Sequence, residues 1–559
     1  MSIRIGVSGL WFSLFLLSGC HTTSGDDAGP DLRVVVETRY LAGGPHGDGG
    51  FLQSDIASYS SIKLFVGGDA GVVRTGRFDD GRIVFEDVPT TDNVLELRYP
   101  HPQLAGGTLV VRQETHRRAI YLGYYQWARS DVALAEAGTN LRIDATGLVP
   151  WSETDDTLYA YSAQAQFARG WWPDPDLTTA PAQDATTVTG TEVNTADMGA
   201  EDYRTTPAIV DASRGDTLTL LQHRQPWFTG PDGGLLDAWD PWAATYPLLT
   251  IANAQVSMPQ FSAAEPVQLT ASFTELTPSP FTLAINADSF AASAADLEMP
   301  ATARMASNNT IYFEAGDGET LYLAPSPVIW NHSSRSSQRI PENPECYPNQ
   351  LGACDAGCNA CDSPLTTDYR APGNFVLPAY FTHPITDPGT EMLATDWRIS
   401  TIVTVPDAGA LSLTAWNYNS RPVPSATSVV VERVLSPPRA VRVHGASVPP
   451  STPNVTTLNS ATPTLSWSAP SQGTPDFYRV QVVEYVVRSP GNVALYSQLN
   501  LLTSGTTATI PEGVLLPGHL YVLRVVATID PNDPDDLRLV RRAASYHRAE
   551  AITGVVTAP

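Results

Sequence analysis

The sequence predicts an all-β protein made of several consecutive β-sandwich domains, and three observations predict it. Short runs alternate apolar and polar residues, as where Leu32, Val34 and Val36 are interleaved with Arg33 and Glu37, the period of a half-buried strand. No sustained 3.6-residue periodicity appears; Ala128 to Gly138 is the best helical patch, and it is short. The 46 prolines and 41 glycines punctuate the runs, which suits turns and interrupts long helices. At 559 residues the chain exceeds what one core can fill, so three or four domains are expected. An apolar share of 42% supports folded domains. The formal net charge of −25 repels phosphate backbones and excludes nucleic acid as a partner class.

The chain opens with Met1-Ser2-Ile3-Arg4, one positive residue ahead of the apolar run Trp11 to Leu17. That run is too short to span a bilayer, which takes about 20 apolar residues. It ends in Leu17-Ser18-Gly19-Cys20, with small residues just before the cysteine. This resembles the signal peptide and lipobox of bacterial lipoproteins. The resemblance implies cleavage after residue 19, a diacylglycerol on the Cys20 thiol and an acyl chain, such as palmitate, on its amine. Two or three chains anchor durably where one holds only marginally. His21 in place of Asp implies transport to the outer membrane, at its periplasmic or its cell-surface face. The competing reading is an ordinary cleaved leader with Cys20 incidental. Residues 20–30 then read as a small, polar, flexible tether.

Residues 31–147 carry strand patterns at Ser61 to Val66, Gly81 to Pro89 and Asn93 to Tyr99. The stretch G-x-x-x-F-x-x-V-P, Gly81 to Pro89, resembles an edge of the small transthyretin-like sandwiches. Residues 148–259 mix strands such as Asp216 to Leu221 with long Asp, Pro, Thr and Trp-rich connections. In residues 260–435, strands are expected at Val267–Phe273, Thr310–Glu314, Trp397–Val405 and Leu411–Asn417.

From 436 to 559 the pattern is more specific. Leu465 to Pro470 reads as a strand with an inward Trp467, and Phe477 to Val482 as the next. Pro517-Gly518 makes a turn before Leu520 to Ala527, which puts Tyr521, Leu523, Val525 and Ala527 on one face. This resembles the fibronectin type III domain, an immunoglobulin-like sandwich. The resemblance implies that Trp467 and Tyr478 are core aromatics and that Tyr521 is the tyrosine corner, its hydroxyl bound to a backbone carbonyl. The acidic run Asp530 to Asp536 would be the solvated loop before the last strand; it lacks the spacing that wraps calcium.

Cys346, Cys354, Cys358 and Cys361 lie in a polar stretch. In an oxidising compartment they read as two disulfides, with three connectivities open. Tetrathiolate zinc is the alternative, although only Cys358 and Cys361 have knuckle spacing. A redox pair is the third reading. Trp171, Trp172, Trp227, Trp239 and Trp242 stand beside carboxylates in loops, the pairing by which proteins grip sugars; packing at sandwich ends is the competing reading. Arg214-Gly215-Asp216 reads as a chance turn. No H-E-x-x-H, G-x-S-x-G past the leader, phosphate-binding loop or dinucleotide fingerprint occurs, so neither an enzyme nor a cofactor is expected. The expectation is a lipid-anchored envelope protein for adhesion, scaffolding or ligand binding, with the membrane and a carbohydrate or protein ligand as partners. The alternatives are a secreted polysaccharide- or peptide-degrading hydrolase with a fibronectin type III spacer, and an accessory subunit of an outer-membrane complex.

Overall fold

The computed structural model describes residues 34–41, 51–53, 61–124 and 140–171 with short breaks, 181–194, 217–224, 248–257, 267–335 and 374–530 with short breaks, 541–542 and 545–559. Strands dominate these residues, and one helix, α1 (Ala287–Asp296), accompanies them. The all-β class is therefore the observed one.

The strands that matter most belong to one 19-stranded sheet. They are β1 (Ser61–Val66), β2 (Val72–Thr75), β3 (Asn93–Pro100), β4 (Thr108–Thr115), β5 (Asp156–Ser162), β6 (Phe167–Trp171), β7 (Thr217–Arg224) and β8 (Leu248–Ser257). The series continues with β9 (Arg304–Ala315), β10 (Val328–Arg335), β11 (Gly389–Val405), β12 (Gly409–Pro422), β13 (Phe477–Ser489), β14 (Asn492–Thr503), β15 (Leu520–Ile529) and β16 (Tyr546–Ile552). Their hydrogen-bonded order is β2-β1-β3-β4-β14-β13-β15-β16-β12-β11-β9-β10-β8-β7-β5-β6.

Smaller sheets close four sandwiches against this long one. In the first, Val34 and Phe85 meet Leu64, Leu95, Leu97 and Val111 in one core. Val88 joins them, so the Phe and Val of the Gly81 to Pro89 motif are both core residues. Asp87 between them takes a left-handed φ of 53°, which turns the chain inward.

In the second sandwich, Thr187–Asn194, Asn140–Thr146 and Val267–Ser272 form a three-stranded sheet that packs on β5, β7 and β8. Val267, Leu269 and Ala271 are buried while Gln268, Thr270 and Ser272 are exposed, as alternation predicts. Asn140–Thr146 and Val267–Ser272 pair in parallel, although the sequence boundaries at 147/148 and 259/260 assign them to two domains with a third, 148–259, between them. Gly147 sits at the turn with φ +74°, and a Cβ there would come within 2.5 Å of the Phe273 carbonyl oxygen. The boundary drawn after residue 147 thus falls inside one core.

The third sandwich sets Phe375–Phe381, Ser279–Ile285 and Ser428–Val431 over β9, β11 and β12. Its helix α1 lays Phe290 flat on Trp397, with centroids 4.6 Å apart and planes 8° from parallel. In the fourth, Arg439–Val443, Thr464–Ser468 and Thr507–Thr509 cover β13 to β16. Tyr521, Leu523, Val525 and Ala527 all face that core. The reverse face of β15 is buried too, at Val522, Arg524, Val526 and Thr528, and Val522 there joins the core of the third sandwich.

Candidate functional site

The residues singled out from the sequence fall mostly outside the described residues: Cys20, Cys346, Cys354, Cys358, Cys361, Trp172, Trp227, Trp239 and Trp242. Trp171 ends β6 opposite Leu158. Ala128 to Gly138 and most of the acidic run also lie outside. Asp530, at the start of that run, donates its backbone N–H to Asp476 (2.8 Å). Tyr521 makes a different bond from the one the resemblance implied. The Tyr521 hydroxyl accepts from the Leu516 N–H (2.9 Å) instead of donating to a carbonyl, and burial pushes its pKa up to about 12. Trp467 and Tyr478 meet edge to face at 5.4 Å, as expected of core aromatics.

The structure gathers its functional groups at two seams that the sequence did not reveal. At the first, β4 runs parallel to β14, Val110 to Gln113 opposite Leu499 to Leu502. Glu96 is buried between Arg98 (2.9 Å) and Arg112 (2.8 Å), and Arg112 also lies over the Phe65 ring at 4.6 Å. Glu114 accepts from the Thr503 hydroxyl (2.6 Å) and from the Ser504 N–H and hydroxyl (3.0 and 3.1 Å). Arg98 donates to the Glu512 carbonyl (2.9 Å) and His101 to the Ser497 carbonyl (3.0 Å). Burial holds the His101 pKa below its ordinary value, against the Ser497 carbonyl and Glu484, which favour the cation. Close by, Glu484 accepts from Gln498 (2.7 Å) and pairs with His519 (2.6 Å).

At the second seam, β12 pairs antiparallel with β16, Asn417 to Ser420 opposite Ala549 to Tyr546. Arg398 pairs with Asp396 (3.0 Å) and lies over the Trp416 ring (4.0 Å), and Arg548 lies over Tyr418 (5.2 Å). Glu550 is 1% exposed, with Arg524 3.6 Å away. Burial pushes Glu550 and Asp396 up, opposed by their arginines. Asn417 donates to the Leu435 carbonyl (2.8 Å), and Nδ1 of His547 lies 3.1 Å from the Asn419 side-chain oxygen. The contacts of Glu114 with Thr503 and Ser504, Arg98 with Glu512, His101 with Ser497, Arg548 with Tyr418 and His547 with Asn419 cross module boundaries and weld them, while the Glu96, Glu484, Asp396 and Glu550 pairs lie within single modules beside the seams. Among the described residues no group of three or more His, Cys, Asp or Glu is arranged to hold a metal ion.

Surfaces left for contact lie at sheet edges and hairpin tips. Val72, Val73 and Phe78 stand out at the outer edge of the first sandwich, Ile402 near the β11–β12 tip, and Val487 and Leu495 near the β13–β14 tip.

No family model matches the chain, and no curated protein does. Seventeen chains of solved structures match. One is the pilus adhesin SpaC from Lactobacillus rhamnosus GG in its open conformation, at 10% identity and a TM-score of 0.10 over 84% of this chain and 49% of that one. This chain spans about half the adhesin's length, and at that score the likeness carries no argument.

Proposed function

We propose that the protein is a lipid-anchored cell-envelope protein with a non-catalytic role in adhesion, scaffolding or ligand binding. The observation that carries this reading is the edge-to-edge joining of four sandwiches by strand pairing, with hydrogen bonds crossing the seams. Such a body is a stiff platform whose edges, loops and hairpin tips remain for contact. The leader ending in Cys20 supports attachment through acyl chains, and His21 supports an outer-membrane destination. Disulfides among Cys346, Cys354, Cys358 and Cys361 would stiffen their loop, and the tryptophans from Trp171 to Trp242 would offer rings to a carbohydrate.

The test has two arms. Cys20→Ala should move the protein from the membrane fraction to the soluble one, and continued pelleting after a high-salt wash refutes the anchor. Glycan and envelope-protein arrays probed with the soluble form should give binding that Trp171→Ala or Trp172→Ala weakens. Reproducible turnover of a polysaccharide or peptide, lost on mutating a loop carboxylate, overturns the non-catalytic reading.

A further inference from the structure

Strand β4 belongs to two sandwiches at once. Within the first sandwich it pairs with β3 on one side, and its other edge is the one that β14 takes. An exposed strand edge is a template for pairing, and proteins that leave one open blunt it with charge. The sequence of β4 suits both states. Leu109, Val110 and Val111 are 5%, 1% and 3% exposed, with Val110 in the fourth core and Val111 in the first. Arg112, Gln113 and Glu114 follow and supply the polar groups. Glu114 grips Thr503 and Ser504 at one end of the shared register, while His101 and Arg98 reach Ser497 and Glu512 from neighbouring positions.

We infer that β4 is a clasp: it holds the fourth sandwich to the first in cis, firmly enough to keep the chain together when the covalent connection after Tyr124 is cut. The partner that fits the β14 edge is the chain's own first sandwich. The inference goes beyond the proposed function and does not depend on a lipid, because its test uses the soluble Cys20→Ala form.

In that full-length form, a protease recognition sequence is inserted between Ala137 and Gly138 and cleaved under native conditions. The two fragments should co-elute on gel filtration at micromolar concentration, with the mass of one chain. Val110→Asp, which puts a charge into the fourth core, should separate them. Glu114→Lys leaves the apolar contacts of the first sandwich alone and should weaken association by at least roughly tenfold, the loss of about 1.4 kcal/mol of hydrogen bonding. Circular dichroism of the released fragment checks that it stays folded; if Val110→Asp unfolds it, Glu114→Lys decides. Separation of the unmutated fragments overturns the clasp, as does an unchanged affinity in Glu114→Lys. Elution at twice the mass also overturns it, because the occupant would then be a second copy.

Discussion

His223 shows how much a single buried side chain can govern. It lies in β7, 3% exposed, stacked on Tyr159 with ring centroids 5.2 Å apart, and burial pulls its pKa down to about 3. His547 at the second seam is pulled to about 4, first by burial and then by Arg421. Both are neutral in the folded protein at pH 7. As pH falls below about 6.5, the unfolded chain takes up protons that the folded chain refuses, and stability is lost. The loss runs down to about pH 4 for His547 and about pH 3 for His223. Glu550 and Asp396 act in the opposite sense, since burial raises both and protonation relieves them. For His223 the slope is about 1.4 kcal/mol per pH unit. His223→Phe should therefore lose about 2 kcal/mol less than the unmutated protein between pH 6.5 and 5. Urea unfolding at the two pH values measures this, and equal losses would refute it.

At the scale of elements, strands were largely legible and the helix was not. Ser61–Val66 is a strand with the bounds its sequence suggests, and Thr310–Glu314 and Trp397–Val405 are the C-terminal parts of longer ones. Alternation marks part of a strand, while its full length is set by the strand that pairs with it. Helix α1 escaped notice because it is short and Ala-rich, with only Phe290 to mark a face. Its signature is local: the Asn286 side chain accepts from the Ser289 N–H (3.2 Å) as an N-cap. Packing then holds it, through Phe290 on Trp397 and through Arg433, which donates to Ser293 and Asp296. Phe290→Ala should cost about 3–5 kcal/mol, the usual range for emptying an aromatic site. Hydrogen exchange at Trp397 and Ile399 should accelerate accordingly; protection unchanged from the parent would show that the ring supports nothing.

For the whole molecule, the sequence suggested separate modules, whereas the structure fuses them through strand pairs. No local pattern discloses such a joint. The run Leu109-Val110-Val111 reads as an ordinary strand, and nothing near it points to residues 499–502. The second seam is hidden in the same way, because Trp416, Tyr418 and Arg548 look like unremarkable polar or aromatic positions until β12 meets β16. Removing the fourth sandwich, residues 436–559, should therefore harm the modules it leaves behind. It would uncover the edges of β4 and β12 together, and light scattering should report aggregation of the truncated protein. A monodisperse, folded truncation would show that the welds are dispensable.

The parallel joint between β4 and β14 also sets a timetable. Glu114 meets Thr503 across 389 residues of sequence. At synthesis rates of about 5–20 residues per second, the earlier segment waits roughly 20–80 s for its mate to emerge. A nascent chain of this design spends that interval with one flank unfinished, which makes it a natural client for a chaperone that shields strands until translation ends.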